Sequence, residues 1–302
     1  MFSALDSAAR ALGCTVTEKA PLAELTSFRI GGPAARLIEL PADAAAPVLK
    51  LCRQSELPVF WLGKGSNLLV SDRGFDGVIL RLTDAAAPAV TGTQIMCPAG
   101  VPLLRLCRVA CEHGLSGMEF AYGIPGSVGG AVYMNAGAYG GEMKDVLTEV
   151  TLLLPDGTRT TCAADTLALS YRHNALMESG GVVLSATVTL TPDDPAAITA
   201  RMEACMEKRR AKQPLEYPSA GSFFKRPEGQ FAGALIEQCG LKGFRVGDAQ
   251  VSEKHAGFVI NRGHATCENV KALAREVRRR VAEQTGFDLQ PEVRLLGDTW
   301  DD

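Results

Sequence analysis

The chain has 302 residues, 46% of them hydrophobic and 22% charged, and a formal net charge of −3. That length exceeds what one core usually serves, so two or three domains are expected, and the composition excludes a disordered or fibrous chain. The slight acidity argues against nucleic acid as the main partner, and no apolar run approaches the ~20 residues of a membrane span.

Phe2, Leu5, Ala9 and Leu12 predict a short amphipathic helix stopped at Gly13. Cys14 is the first of nine cysteines, none in a C-x-x-C pair; reduced thiols of a cytoplasmic protein are expected, with Cys107 and Cys111 on a core face. Residues 25–40, LTSFRIGGPAARLIEL, predict strand–turn–strand about Gly31-Gly32-Pro33. A helix over 43–56 and three short strands over 58–82 follow. Between the first two strands lies Gly63-Lys64-Gly65-Ser66-Asn67, a turn of small residues with several N–H donors. It is not a Walker A loop, because Gly65 separates Lys64 from Ser66. An anion-binding nest is expected there rather than a plain hairpin.

A helix over 101–113 leads into residues 114–141, GLSGMEFAYGIPGSVGGAVYMNAGAYGG, the densest run of glycine in the chain. Its glycines alternate with Ile124, Val128, Val132 and Met134, so it is no hydrophilic linker. The run reads as irregular backbone, neither helix nor strand, laid against something large and flat with its N–H groups turned to oxygens. Buried tight turns between strands are the competing reading. Gly123-Ile124-Pro125-Gly126 does not match the G-x-G-x-x-G dinucleotide fingerprint.

Strands are predicted over 146–154, 158–162 and 181–190, with Pro155-Asp156-Gly157 as a hairpin turn. A proline-bracketed segment, 191–195, marks a boundary before a helix over 196–213, whose end carries Lys208, Arg209, Arg210 and Lys212. A short helix over 232–238 and a strand over 257–261 follow. Thr266 caps a helix with Val270, Leu273, Val277 and Val281 toward the core and Lys271, Arg275, Arg278 and Arg279 toward solvent. A last strand is expected over 287–296.

Three polar residues stand out by context: Arg172 in Tyr171-Arg172-His173-Asn174, Ser222 in Ser219-Ala220-Gly221-Ser222-Phe223-Phe224, and Glu292 between Pro291 and Val293. Each also has a structural explanation, as a surface cation, a turn hydroxyl and an edge carboxylate. The four histidines lack ligand spacing, so no metal is expected. No G-x-S-x-G elbow makes Ser222 a hydrolytic nucleophile. The residues alone point to an intracellular enzyme with a nucleotide cofactor or substrate.

Taken together, TSFRIGGPA, GKGSNLLVSD, the 114–141 run, YRHNAL, PSAGSFFKRP, AGALIEQCGLKG, HAGFVINRGHAT and LQPEVRLLG resemble the UDP-N-acetylenolpyruvoylglucosamine reductases along nearly the whole chain. The resemblance implies an α+β fold: a two-lobed FAD-binding domain of the vanillyl-alcohol-oxidase (PCMH) type, then a smaller α/β substrate-binding domain. The lobes would be 1–82 with 291–302, and 83–194; the substrate domain would be 195–290. Non-covalent FAD and NADPH are implied, with Gly63, Lys64, Gly65, Ser66 and Asn67 at the FAD pyrophosphate. Tyr122, Gly123, Ile124, Gly126, Ser127, Gly130, Asn135 and Gly137 would wrap the flavin, and Val183 would touch it.

By the same resemblance, Arg172 and Glu292, the latter protonated, meet negative charge that builds on the substrate after hydride transfer, and Ser222 protonates it. Tyr139, Arg209, Lys212, Lys225, Arg226 and Asn261 would bind the UDP-sugar, with no membrane and no obligatory protein partner. Only 173–181 separates Arg172 from the next strand, which matches the short form of the family; the long form carries an insertion there with a substrate-covering tyrosine. Two other activities stay open: an FAD oxidase of an alcohol or sugar, and a non-catalytic UDP-sugar-binding protein.

Overall fold

A computed structural model of the chain describes residues 2–83 and 86–300. Its contacts fall into two compact units, each built from separated pieces of chain. The first is Met1–Glu18, Arg36–Lys64 and Gly77–Lys208; the second is Lys19–Ala35, Gly65–Asp76 and Arg209–Asp302. The fold is mixed α+β.

The first unit has two cores. In one, helices Phe2–Ala11 and Ala45–Gln54 put Leu5, Ala9, Val48 and Cys52 against Ile38, Leu40, Val78 and Leu80. Those four residues come from a sheet ordered Thr15–Pro21, Pro33–Leu40, Phe75–Leu82, Val59–Trp61. In the other, helices Leu103–Glu112 and Val128–Tyr133 pack on a five-stranded antiparallel sheet. Its order is Arg159–Ala163, Leu147–Leu153, Val182–Thr189, Gln94–Pro98, Ala89–Thr91.

A bulge in Val182–Thr189 serves both cores. Thr151 faces Ser185 and Leu152 faces Val183, so Leu184 is an extra residue. An inserted residue reverses the in–out alternation beyond it. Val183 therefore shares a core with Ala186 and Val188, while Leu184 fills the other. The Leu184 carbonyl accepts the Ala99 N–H at 2.9 Å, and the Ala99 carbonyl accepts that of Gly129 at 2.9 Å. The short helix is thus tied to the end of the Gln94–Pro98 strand.

The second unit holds an antiparallel sheet ordered Ser219–Ser222, Phe258–Asn261, Ala249–Val251, Arg245–Val246. Helices Ala232–Gln238 and Cys267–Thr285 cover it, with Leu235, Val270, Leu273, Val277 and Val281 in the core. Thr266 Oγ accepts the Asn269 N–H at 3.0 Å and the Asn269 side chain accepts that of Thr266 at 3.3 Å, the reciprocal cap expected of this pair. Asp72 adds two further acceptors to the same helix end, from the N–H groups of Cys267 at 2.8 Å and Glu268 at 3.2 Å.

Four expectations need correction. Residues 25–30 form no strand; Phe28 and Ile30 are apolar because they anchor a loop in the second unit's core, and Thr15–Pro21 is the strand instead. The 114–141 run does contain regular structure, the helix Val128–Tyr133, which Ser127 caps and whose Gly129 meets Ala99 without a Cβ between them. The last strand is only Arg294–Leu296, paired in parallel with Leu68–Val70, so Glu292 precedes it. Lys271 is not solvated: it is 4% exposed and lies 3.2 Å from Asp298, itself nearly buried.

All nine cysteines are free thiols. Burial pushes Cys107 and Cys267 up to about 12 and Cys52 to about 11, so these are packing groups rather than reactive ones.

Candidate active site

In the first unit, two glycine loops approach each other through Gly63 and Ser127. A Cβ on Gly63 would lie 2.8 Å from Ser127 Oγ. That oxygen is engaged, since it accepts the Gly130 N–H at 3.3 Å and caps Val128–Tyr133. Gly123 adopts φ +97° beside them. Tyr122 and Ile124 pack half-buried on the core, and Val183 is 4% exposed within it.

The N–H groups of Gly63 and Lys64 in one loop, and of Gly123, Gly126 and Ser127 in the other, donate to no acceptor among the described residues. The same holds for Gly65 and Ser66, which continue the first loop. Gly65 and Ser127 are buried, and a buried N–H without a partner costs on the order of 1–3 kcal/mol. Unpaired main-chain donors of this kind fit an anionic, oxygen-rich group such as a diphosphate. Apart from Ser127 Oγ, Gly130 has nothing within 4 Å of where a Cβ would stand, which suits close approach by a flat ring.

Three other glycines of the run have close neighbours within the protein. Gly129 faces Ala99, Gly137 faces Glu142 and the Gly141 carbonyl, and Gly141 faces the Phe120 ring, each at 2.7–2.8 Å from a would-be Cβ. Gly137–Ala138 and Gly141–Glu142 form a hairpin whose corner is Tyr139-Gly140. Both corner residues have positive φ, +53° and +91°, as a type I′ turn demands. The corner holds Tyr139 out, 42% exposed.

Arg172 occupies another tight corner. The Ser170 N–H donates to the His173 carbonyl at 3.0 Å and the reverse bond is 3.2 Å, with Arg172 at φ +53°. Its guanidinium donates to the carbonyls of Asn135 at 3.2 Å and Gly137 at 3.4 Å. Asn135 itself is fully buried, its amide bonded to Glu142, Ser170 and Lys144.

In the second unit, Ser222 and Glu292 hang from adjacent backbone. Ser219 pairs with Ile260 but Ser222 with Phe258, so one extra residue bulges the strand, with Gly221 at φ +80°. The bulge turns Ser222 outward while Phe223 and Phe224 go into the core. The Phe223 carbonyl accepts the Glu292 N–H at 2.8 Å. Asn67 clamps the same segment: its side-chain amide donates to the Glu292 carbonyl at 3.1 Å and its main-chain carbonyl accepts the Arg294 N–H at 3.1 Å.

Lys225 and Arg226 follow on the surface, Arg226 stacked 5.0 Å over the Phe231 ring. Arg209 and Lys212 lie in the last turn of helix Pro195–Lys212, half-buried and exposed respectively. Asn261 is 3% exposed, donating to the Phe28 carbonyl and accepting from the N–H groups of Gly263 and Ala265. These bonds organise the turn that follows it. Glu142, which orders this part of the first unit through Asn135, carried no signal in the sequence beyond its place after Gly141.

Among the described residues no group of three His, Cys, Asp or Glu gathers to hold a metal ion, and no helix is long and apolar enough to cross a membrane.

Two family models match the chain: "FAD binding domain" over residues 41–163, and "UDP-N-acetylenolpyruvoylglucosamine reductase, C-terminal domain" over 213–296. A UDP-N-acetylenolpyruvoylglucosamine reductase of Agathobacter rectalis is 47% identical over 291 residues, covering 92% of this chain and 93% of the relative. One of Caldanaerobacter subterraneus is 44% identical over 280 residues, covering 92% of each. The crystal structure of the Thermus caldophilus reductase superposes with a TM-score of 0.78 at 36% identity, covering 94% of this chain and 98% of that one.

Proposed function

The chain belongs to the UDP-N-acetylenolpyruvoylglucosamine reductase family, and on that premise we propose that it reduces the enolpyruvyl group of UDP-N-acetylglucosamine enolpyruvate with NADPH. The product is UDP-N-acetylmuramate, a peptidoglycan precursor. FAD, when bound, supplies a two-electron carrier that takes hydride from NADPH and delivers it to C3 of the enolpyruvyl group.

Everything else falls to side chains and backbone. The N–H groups of Gly63, Lys64, Gly65 and Ser66, with Asn67 beside them, hold the diphosphate of FAD. Tyr122, Gly123, Ile124, Gly126, Ser127, Gly130, Asn135, Gly137 and the main chain at Val183 shape the bed of the flavin. Hydride arriving at C3 leaves negative charge on C2 that spreads into the neighbouring carboxylate. Arg172 meets that charge, and Glu292 gives it a hydrogen bond. Ser222 gives its hydroxyl proton to C2 and regains one from water; a hydroxyl can do so because the enolate is a strong base once formed.

Lys212, Lys225 and Arg226 pair with the diphosphate of UDP. Tyr139 and Arg209 complete the sugar-nucleotide contacts, and Asn261 acts by fixing its turn. The lobes run 1–82 with 291–302 and 83–194, and the substrate domain 195–290. The enzyme works in the cytoplasm on small molecules and needs no protein partner.

One observation carries this reading: the FAD-binding and reductase C-terminal matches stand on one chain in that order. The test is the visible spectrum of the purified protein under nitrogen. NADPH should bleach a flavin band, and the enolpyruvyl sugar should restore it. An alcohol or sugar that bleaches the band where NADPH does not would indicate an oxidase. A protein that stays colourless after refolding with FAD would indicate a UDP-sugar-binding module. Ser222→Ala should leave bleaching intact and slow its reversal by two or more orders of magnitude; equal slowing of both halves removes the proton-donor role.

A further inference from the structure

The geometry points to Asn135 as a positioning residue for Arg172, set in turn by Glu142. This rests on the role proposed above for Arg172. Asn135 grips the arginine at both ends. Its main-chain carbonyl takes one guanidinium N–H at 3.2 Å. Its amide Nδ2 donates at 3.1 Å to the carbonyl of Ser170, the residue that opens the tight corner bearing Arg172. That carbonyl also accepts the His173 N–H, so the corner is closed from both sides.

Asn135 is itself over-determined. It is fully buried at φ +39°, a conformation Asn tolerates better than most residues. Its Oδ1 accepts the Lys144 N–H at 3.0 Å and its Nδ2 donates to Glu142 Oε2 at 2.8 Å. Glu142 is fixed independently by a reciprocal cap with Asp145 and by Lys144 Nζ at 2.6 Å. The two bonds from Arg172 run to main-chain carbonyls and fix the orientation of the guanidinium. Asn alone among the residues offers an amide donor and a carbonyl acceptor at this length, which Asp and Leu do not.

The test uses the FAD-loaded enzyme and follows each half-reaction by stopped flow, for Asn135→Asp, Glu142→Gln, the double variant, Arg172→Ala and Arg172→Ala with Asn135→Asp. Misplacing the guanidinium by about 1 Å should slow reoxidation by the enolpyruvyl sugar on the order of 100-fold in Asn135→Asp. Glu142→Gln should slow it about tenfold, and affinity for the product UDP-N-acetylmuramate, whose carboxylate meets Arg172, should fall in parallel. In Glu142→Gln, which alters no residue of the flavin bed, bleaching by NADPH and FAD content should hold.

The double variant should recover part of the loss, because the amide introduced by Glu142→Gln can donate to the carboxylate introduced by Asn135→Asp. With Arg172 already Ala, Asn135→Asp should add less than about twofold. An undiminished further loss in that background, or equal slowing of both half-reactions by Glu142→Gln, makes Asn135 merely structural and overturns the proposal while leaving the Arg172 role standing. A normal Arg172→Ala enzyme overturns both. If Asn135→Asp fails to fold, the partly exposed Glu142 carries the same comparison alone.

Discussion

Gly63→Ala tests the close approach of the two glycine loops, because its effect should change sign with the residue opposite. Gly63 is not among the glycines with left-handed φ, so alanine can take its backbone conformation. Stiffening the unfolded chain should then gain about 0.4–1 kcal/mol. Against this, the new methyl would stand 2.8 Å from Ser127 Oγ, closer than real contacts allow. The hydroxyl must turn away and give up the Gly130 N–H, a helix cap worth about 1 kcal/mol. Gly63→Ala alone should therefore be neutral to about 1 kcal/mol destabilising. Ser127→Ala alone should cost about 1 kcal/mol, a fall in Tm of about 2–4 °C for a unit of this size. With Ser127 already Ala the obstacle is gone, and Gly63→Ala should become stabilising. Thermal melts of the four proteins without added FAD give the coupling, about 1 kcal/mol. If Gly63→Ala has the same effect in both backgrounds, the loops do not meet through this oxygen.

Other expectations follow from single contacts. Glu292→Gln should retain FAD and bleach normally with NADPH but reoxidise slowly with the enolpyruvyl sugar; a normal reoxidation rate would remove Glu292 from the chemistry. Lys271→Met should lower stability by about 3–5 kcal/mol in urea unfolding, because it leaves the Asp298 carboxylate buried without its 3.2 Å partner. Burial alone would raise the Asp298 carboxyl, but the Thr299 N–H and Lys271 outweigh it and hold the group below its ordinary range. A depressed folded-state value gives stability that is whole above the unfolded-state pKa of about 3.9 and lost as pH falls through the folded one. The gap in urea midpoint between wild type and Asp298→Asn should thus be full at pH 6 and shrink below about pH 4.

Much of this was legible where local chemistry decides. Thr266 with Val270, Leu273, Val277 and Val281 announced a capped amphipathic helix, and it forms at Cys267–Thr285. Lys271 on the same helix was misread because its partner Asp298 lies 27 positions later in the chain. The density of glycine in 114–141 was plain, but its reasons were not. Three of those glycines answer to Ala99, Glu142 and Phe120, contacts made by folding rather than by any spacing in the run. Likewise nothing in the string joins Ser222 to Glu292: a bulge at Gly221 and one bond from Glu292 to Phe223 do so. Asn67 and Asn135 stood out only as members of motifs, whereas their bonds show them bracing the backbone that carries Glu292 and Arg172.

The parallel pairing of Leu68–Val70 with Arg294–Leu296 bears on how the molecule comes into being on the ribosome. Phe28, Ile30 and Leu69 belong to a core whose other members, from Ala220 to Val293, are translated last. Roughly 220 residues separate the two paired strands, so at about 5–20 residues per second the early pieces wait on the order of 10–40 s in water. Neither unit can finish as soon as its first segment emerges, and the second, whose core draws on both early and late pieces of chain, must finish last. Apolar patches left uncovered for that long are what chaperones bind, and newly made protein should depend on them far more than the finished enzyme does.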